Sequence, residues 1–161
     1  MLSEAELKQL EYIPTIPQFV QWIEAKYSDR PAISNMEVTY TYSQMCERIA
    51  RRRKFLYDLN LSKGAKVAIF ERNSIDAVEM FLAVMSAGYV AINLPSALQQ
   101  PQLVGSCMKF DVEALFVRDE FAPMAQAVTS CKVYPSNSMA AETAPVTEGK
   151  PEDPCSIFFT G

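Results

Sequence analysis

The sequence predicts an α/β fold: a mostly parallel sheet flanked by helices on both faces, with a short antiparallel hairpin near the N-terminus. Three observations carry that expectation. From Lys66 onward, short apolar runs alternate with stretches of helical period, beginning Val67-Ala68-Ile69-Phe70, then residues 74–87, then Val90-Ala91-Ile92-Asn93-Leu94. The apolar runs lack the polar alternation of a half-exposed sheet, so their strands should be covered on both faces, as parallel strands are. Ahead of them, two extended stretches flank Asn35-Met36, the pattern of a hairpin.

Taken in order, Ser3-Glu4-Ala5-Glu6 reads as a capping box opening a short helix toward Leu10. Thr15-Ile16-Pro17 starts a second helix, with Pro17 near its first position and Phe19, Trp22, Ile23 and Tyr27 on one face. Ala32-Ile33-Ser34 and Glu37-Val38-Thr39-Tyr40 supply the hairpin. Thr41-Tyr42-Ser43-Gln44 is another capping box, leading a helix with Met45, Ile49, Leu56 and Leu59 at helical spacing. The strand at 67–70, the helix at 74–87 closed by Gly88, and the strand at 90–94 make a βαβ unit. A helix over 101–108, a strand over 114–117, a helix over 122–130 and a short strand over 132–134 continue it. Residues 135–154 are rich in Ser, Ala, Thr, Glu and Pro without apolar period and read as an exposed loop or linker. Cys155-Ser156-Ile157-Phe158-Phe159 reads as a buried strand running into a Thr160-Gly161 turn. The expected organisation is thus an α/β unit over 1–134, a polar loop over 135–154, and a strand with the start of a glycine turn over 155–161.

Composition narrows the function classes. With 161 residues and 49% hydrophobic content, the chain is long enough for one cored domain. No apolar run approaches the roughly 18 residues of a membrane span. The net charge of −4 is spread along the chain, giving no footprint for nucleic acid and favouring a small-molecule partner. Cys46, Cys107, Cys131 and Cys155 are far apart and read as reduced thiols. Histidine is absent, which removes Ser-His-Asp and Cys-His triads and argues against a zinc site. The acidic, polar first residues resemble no signal or transit peptide, so the expected compartment is cytoplasmic.

Few residues could carry chemistry. The turn Glu71-Arg72-Asn73-Ser74 follows a strand directly and so lies at the carboxyl edge of the sheet, where α/β ligands bind. Asn73 and Ser74 are placed to touch a ligand or, more simply, to shape the turn and cap the helix. The following helix places Ile75, Val78, Leu82 and Met85 on one stripe, with Phe81 and Val84 beside it. Arg48, Arg51, Arg52, Arg53 and Lys54 form the one basic cluster. A solvated helix face is its simpler reading, a phosphate contact the sharper one; Arg52 alone falls on the apolar stripe and must either reach the edge or meet a carboxylate. Neither G-x-x-x-x-G-K-[ST] nor G-x-G-x-x-G occurs.

The order of elements resembles the N-terminal part of the adenylate-forming superfamily, which includes acyl-CoA synthetases, luciferase-like enzymes and peptide-synthetase adenylation domains. Five stretches carry the resemblance: Arg30-Pro31-Ala32-Ile33; Val38-Thr39-Tyr40-Thr41-Tyr42-Ser43-Gln44-Met45; Lys63-Gly64-Ala65-Lys66-Val67-Ala68-Ile69 with Asn73-Ser74; Met85-Ser86-Ala87-Gly88-Tyr89-Val90-Ala91-Ile92-Asn93-Leu94-Pro95; and Asp153-Pro154-Cys155-Ser156-Ile157-Phe158-Phe159-Thr160-Gly161, which looks like the strand opening the family's phosphate loop. Two departures stand out. Ala65 occupies a position where the family usually has Asp, and Arg52 and Arg53 stand where it usually has apolar residues.

The resemblance implies part of a larger N-terminal domain in an ATP-dependent acid–CoA ligase. In such an enzyme a carboxylate attacks the α-phosphate of ATP, giving acyl-adenylate and pyrophosphate, and the thiol of coenzyme A then displaces AMP. ATP, Mg2+ and coenzyme A are the implied cofactors and a small carboxylic acid the implied substrate. Thr160 and Gly161 would contact the ATP phosphates, and Asn73 and Ser74 would lie on the carboxylate-substrate side. No catalytic residue and no metal ligand falls within the chain on this reading, so it is expected to be an inactive fragment that binds no cofactor tightly and self-associates through its C-terminal strand. A peptide-synthetase or aryl-acid adenylation segment and a non-catalytic flavodoxin-like binding module are the alternatives.

Overall fold

The structure, a computed structural model, describes residues 13–159. The helix expected after Ser3 and the Thr160-Gly161 turn lie outside the described residues. Helix α1 (Ile16–Tyr27) is opened by Thr15, whose hydroxyl accepts from the Gln18 N–H at 3.3 Å. Strands β1 (Pro31–Ser34) and β2 (Thr39–Thr41) form the antiparallel hairpin, its turn pinned by the Asn35 side chain accepting from the N–H groups of Glu37 and Val38, each at 2.8 Å. Helix α2 (Tyr42–Asp58) begins with the expected capping box: Thr41 accepts from the Gln44 N–H at 3.3 Å, and Gln44 accepts from the Thr41 N–H at 2.9 Å.

The remaining elements build the main sheet. They are β3 (Lys66–Phe70), α3 (Ile75–Ser86), β4 (Val90–Leu94), α4 (Gln100–Lys109), β5 (Val112–Val117), a 3-10 turn (Asp119–Phe121) running into the short α5 (Ala122–Ala125), β6 (Lys132–Pro135) and β7 (Ser156–Ile157). The helix expected over 122–130 is therefore shorter than its apolar residues suggested. A 3-10 turn precedes it, the helix itself ends at Ala125, and Val128 is buried from the loop beyond. The five strands run parallel in the order β6-β5-β3-β4-β7.

Alternate residues of each strand feed two cores. Val67, Ile69, Ala91, Ala114 and Phe116 point to the face covered by α1, α2 and α3. Ala68, Phe70, Ile92, Leu94, Leu115 and Val117 point to the face covered by α4 and α5. The helix α3 buries a stripe different from the expected one: Met80, Ala83 and Val84 are fully buried, whereas Val78 is 42% exposed and Phe81 and Leu82 are half-buried. The stripe turned toward the core also carries Glu79, so the apolar count alone misplaced it.

Glu79 explains the basic cluster. Arg52 and Glu79 are both fully buried, joined by Arg52 Nε at 3.0 Å and Nη2 at 2.9 Å to Glu79 Oε2, while Arg48 Nε reaches Oε1 at 2.6 Å and Asp76 also engages the Arg52 guanidinium. Arg53, 4% exposed, donates to the carbonyls of Ala144 at 2.7 Å and Pro145 at 2.9 Å and to the Ser86 hydroxyl at 2.9 Å. The solvated-face reading is thereby corrected: two buried guanidiniums persist because all their donors are matched. No buried side-chain N or O among the described residues lacks a partner.

The same contacts revise the reading of the polar segment 135–154. Beyond β6 it stays irregular as far as β7, but it is strapped across α2, with Ala140 N–H donating to Arg51 O and Ala144 N–H to Ala50 O, each at 3.1 Å, and Ser136 and Ala144 buried. The strand expected at 155–159 is likewise corrected. Only Ser156 and Ile157 pair, at the sheet edge beside β4, and Phe158 is 65% and Phe159 41% exposed.

Candidate functional site

After β3 the chain turns to the α3 face, and after β4 to the α4 face before crossing back to β5 on the far side of β3. Adjacent parallel strands whose connections leave in opposite directions open a crevice at their carboxyl ends, and there the structure has an open cleft of 1020 Å³. Glu71, Arg72, Asn73 and Ser74 line it from β3, and Asn93 through Ala97 line it from β4. Its apolar wall is Val78, Phe81 and Leu82 of α3 with Phe158 and Phe159, the Phe81 and Phe158 rings lying 6.0 Å apart. A second cavity of 640 Å³ lies beside Gly64 and Tyr89, at the amino ends of β3 and β4. It is on the wrong edge of the sheet for this kind of site.

A hydrogen-bonded lattice fixes one rim of the cleft. The Glu71 carboxylate, 3% exposed, accepts from Arg118 Nη1 and from the Arg72 N–H, each at 2.9 Å, and from the Ser136 hydroxyl at 2.5 Å. It thus ties together the carboxyl ends of β3, β5 and β6. Arg118 also pairs with Glu120 at 3.3 Å, and Arg72 pairs with the same Glu120. The bond to Glu71 holds Arg118 firmly protonated, above its ordinary value, and the Arg72 contact holds the Glu120 carboxyl below its own. Both cations of this rim are therefore occupied by carboxylates.

The structure brings Asn73 and Ser74 together at the cleft, with different duties. The Ser74 hydroxyl accepts from the Ala77 N–H at 3.0 Å, capping α3. Asn73 is exposed, and its side-chain amide has no hydrogen-bond partner among the described residues. Thr160 and Gly161 lie outside the described residues. Arg51, Arg52 and Arg53 are turned to the strap and to α3, away from the cleft. Sequence reasoning overlooked Asn93 as a site residue. A lone amide inside the apolar strand Val90–Leu94 was the available signal, and its side chain is exposed in the cleft.

Of the implied cofactors, Mg2+ finds no group of three or more Asp, Glu, Cys or His side chains poised to hold it among the described residues. ATP finds no free cation from Arg72 or Arg118. Among the described residues, then, no side chain is assigned to ATP or Mg2+. What they offer is a preformed crevice with an apolar wall, two free amides and a rigid acidic-basic rim. A group carrying an apolar body and a polar end suits it.

A family model described as AMP-binding enzyme matches residues 20–161. Among curated proteins, a 2-succinylbenzoate–CoA ligase of Bacillus cereus (strain AH820) is 26% identical over 107 residues, covering 66% of this chain and 22% of its own length. A 3-oxocholest-4-en-26-oate–CoA ligase of Rhodococcus rhodochrous is 35% identical over 66 residues, covering 41% of this chain and 12% of its own. The chain thus spans about a fifth or less of the length of these relatives. Among solved structures, a Mycobacterium tuberculosis fatty acyl CoA synthetase superposes with a TM-score of 0.81 at 20% identity, covering 92% of this chain and 33% of that one. The nonribosomal peptide synthetase FmoA3 with bound AMPPNP superposes at 0.82 with 13% identity, covering 94% and 17%. At such identities these structures establish the fold.

Proposed function

This chain belongs to the AMP-binding enzyme family, and on that premise we propose that it is the N-terminal segment of an ATP-dependent acid–CoA ligase, with its cleft on the carboxylic-acid side of the site. The observation that carries the reading is the family match across residues 20–161. The curated relatives, named as CoA ligases, support coenzyme A as the thiol acceptor. The likeness to a peptide synthetase supports the shared fold and so leaves a carrier-protein thiol as the second reading.

Within that scheme the described residues bind and orient. The apolar wall of Val78, Phe81 and Leu82 takes the body of the acid, and the free Asn73 amide donates to its carboxylate. The Glu71 lattice keeps the Asn73 turn from moving. Phosphate contact falls to Thr160 and Gly161, and ATP, Mg2+ and coenzyme A are completed by residues of the whole ligase, acting in the cytoplasm. No helix among the described residues is long and apolar enough to cross a membrane. The chain by itself lacks catalytic groups and associates with other copies through β7 and the exposed Phe158 and Phe159.

ATP–pyrophosphate exchange tests the reading. The chain alone should give no exchange with any carboxylic acid, and sustained acid-dependent exchange would overturn its inactivity. The full-length protein should exchange and yield a coenzyme A thioester. Failure of exchange with every acid class would return the chain to a binding module without catalysis, and a thioester on a carrier protein alone would favour the peptide-synthetase reading.

A further inference from the structure

The 640 Å³ cavity at the amino ends of β3 and β4 shares no lining residue with the cleft. Its wall comes from three places: the start of α1, the turns that open β3 and β4, and the strap where it returns toward β7. The volume falls within the roughly 300–1,000 Å³ of small-molecule sites. Much of the wall is rigid. Pro14, Pro17, Pro151 and Pro154 line it, and each proline ring fixes its own backbone torsion. Gly149 of the strap comes so near α1 that an added Cβ would stand 3.3 Å from Pro17 Cγ. Strap and α1 thus already touch, and the cavity beside that contact is a feature of the assembled fold.

The lining also says what would fill it. Tyr89 lines the cavity and is only 9% exposed, yet its hydroxyl has no hydrogen-bond partner among the described residues. A phenol that deeply placed ordinarily finds one. Burial, with the Glu113 carboxylate adding to it, raises the Tyr89 pKa, so the hydroxyl keeps its proton and remains a donor. The charges supply a second observation. Lys63 and Lys150 are opposed by Glu148 and Asp153, and Asp153 is held in its own turn by accepting the Lys150 N–H at 2.9 Å. A wall whose charges cancel offers an ion no net field. Phe19 and the prolines present flat apolar faces, which suit a ring. We propose that this cavity binds a small uncharged molecule with a ring-sized apolar body and one hydrogen-bond acceptor, which the Tyr89 hydroxyl meets. The site is separate from the ligase reading of the cleft and does not depend on it.

Glycine provides the reporters. Gly64, Gly88 and Gly149 line the cavity, whereas Gly105 lies on α4, which covers the opposite face of the sheet. The 161-residue chain, isotope-labelled at glycine, is titrated with prodan, an uncharged naphthyl ketone, and followed by amide NMR. The three lining amides should shift along one saturating curve while Gly105 stays in place. Tyr89→Phe should raise the Kd for prodan roughly 3- to 10-fold, the scale of one hydrogen bond. Anilinonaphthalenesulfonate, an anion of similar aromatic body, should move the same amides more weakly, and Phe158→Asp with Phe159→Asp should leave the prodan shifts intact. Lining amides that stay unmoved to the solubility limit of prodan, an unchanged Kd in Tyr89→Phe, equal affinity for the sulfonate, or shifts lost with the two phenylalanines would each overturn the proposal. So would shifts seen only after deletion of residues 1–12, which would give the cavity to the chain's own first residues. The wild-type titration decides the matter even where a variant fails to fold.

Discussion

Asn73 and Ser74 are neighbours with separable roles, and substitution can tell them apart. Ser74→Ala removes an N-cap and should lower stability by about 1 kcal/mol in denaturant unfolding, with little effect on substrate affinity in the full-length ligase. Asn73→Ala removes no bond within the described structure. Stability should hold, while KM for the acid rises roughly 3- to 10-fold, the scale of one hydrogen bond. An unchanged KM would show that Asn73 shapes the turn and no more. Elsewhere, Glu113 accepts from the hydroxyl and N–H of Ser62, and these bonds hold its carboxyl below the ordinary glutamate value of 4.5. Because the folded pKa is the lower one, this contact stabilises above pH 4.5 and is lost as pH falls through the depressed value. Ser62→Ala should therefore flatten the acid limb of the stability curve and leave its neutral plateau lower. At this scale the sequence was legible where chemistry is local: the Thr41 and Ser74 caps follow from residue type and spacing. The distant partners of Glu71 and Arg52 were not, since they lie 24 to 86 residues away and no local pattern names them.

Helices α2 and α3 are joined by a buried ion cluster, so their substitutions should be strongly non-additive. Glu79→Ala strands the fully buried Arg52 and should cost about 3–5 kcal/mol in urea unfolding. Arg52→Met together with Glu79→Met should cost less than the sum of the two single changes, because neither charge is then left unpaired. At the end of α3, Gly88 adopts φ of 81°, and a Cβ there would meet Thr147 Cγ2 at 2.9 Å. Gly88→Ala should destabilise by about 1–3 kcal/mol, and adding Thr147→Ser should recover only the part due to the clash, leaving the backbone strain. Periodicity located every described helix and strand of the sheet, but it could not set the rotation of α3. A helix apolar around most of its circumference has no single hydrophobic direction, and here one side packs on the core while Val78, Phe81 and Leu82 wall the cleft.

For the whole molecule, the alternation of strands and helices was enough to foresee a parallel sheet covered on both faces. The strand order was not, because nothing local distinguishes a crossover to the left of β3 from one to the right. That order creates the cleft. The edge at β7 has its own expected behaviour: light scattering should give a mass that rises with concentration, and Phe158→Asp with Phe159→Asp should suppress it. A mass fixed at one copy across the concentration range would remove β7 from the assembly. The strap across α2 bears on the timing of folding. Arg52 and Ser136 are joined at 2.7 Å across 84 residues, so a nascent chain that has already paired α2 with α3 still holds a guanidinium short of its full complement. That donor is matched only after β5 and β6 have emerged from the ribosome, and closure of the N-terminal half is thereby made to wait for the sheet it will cover.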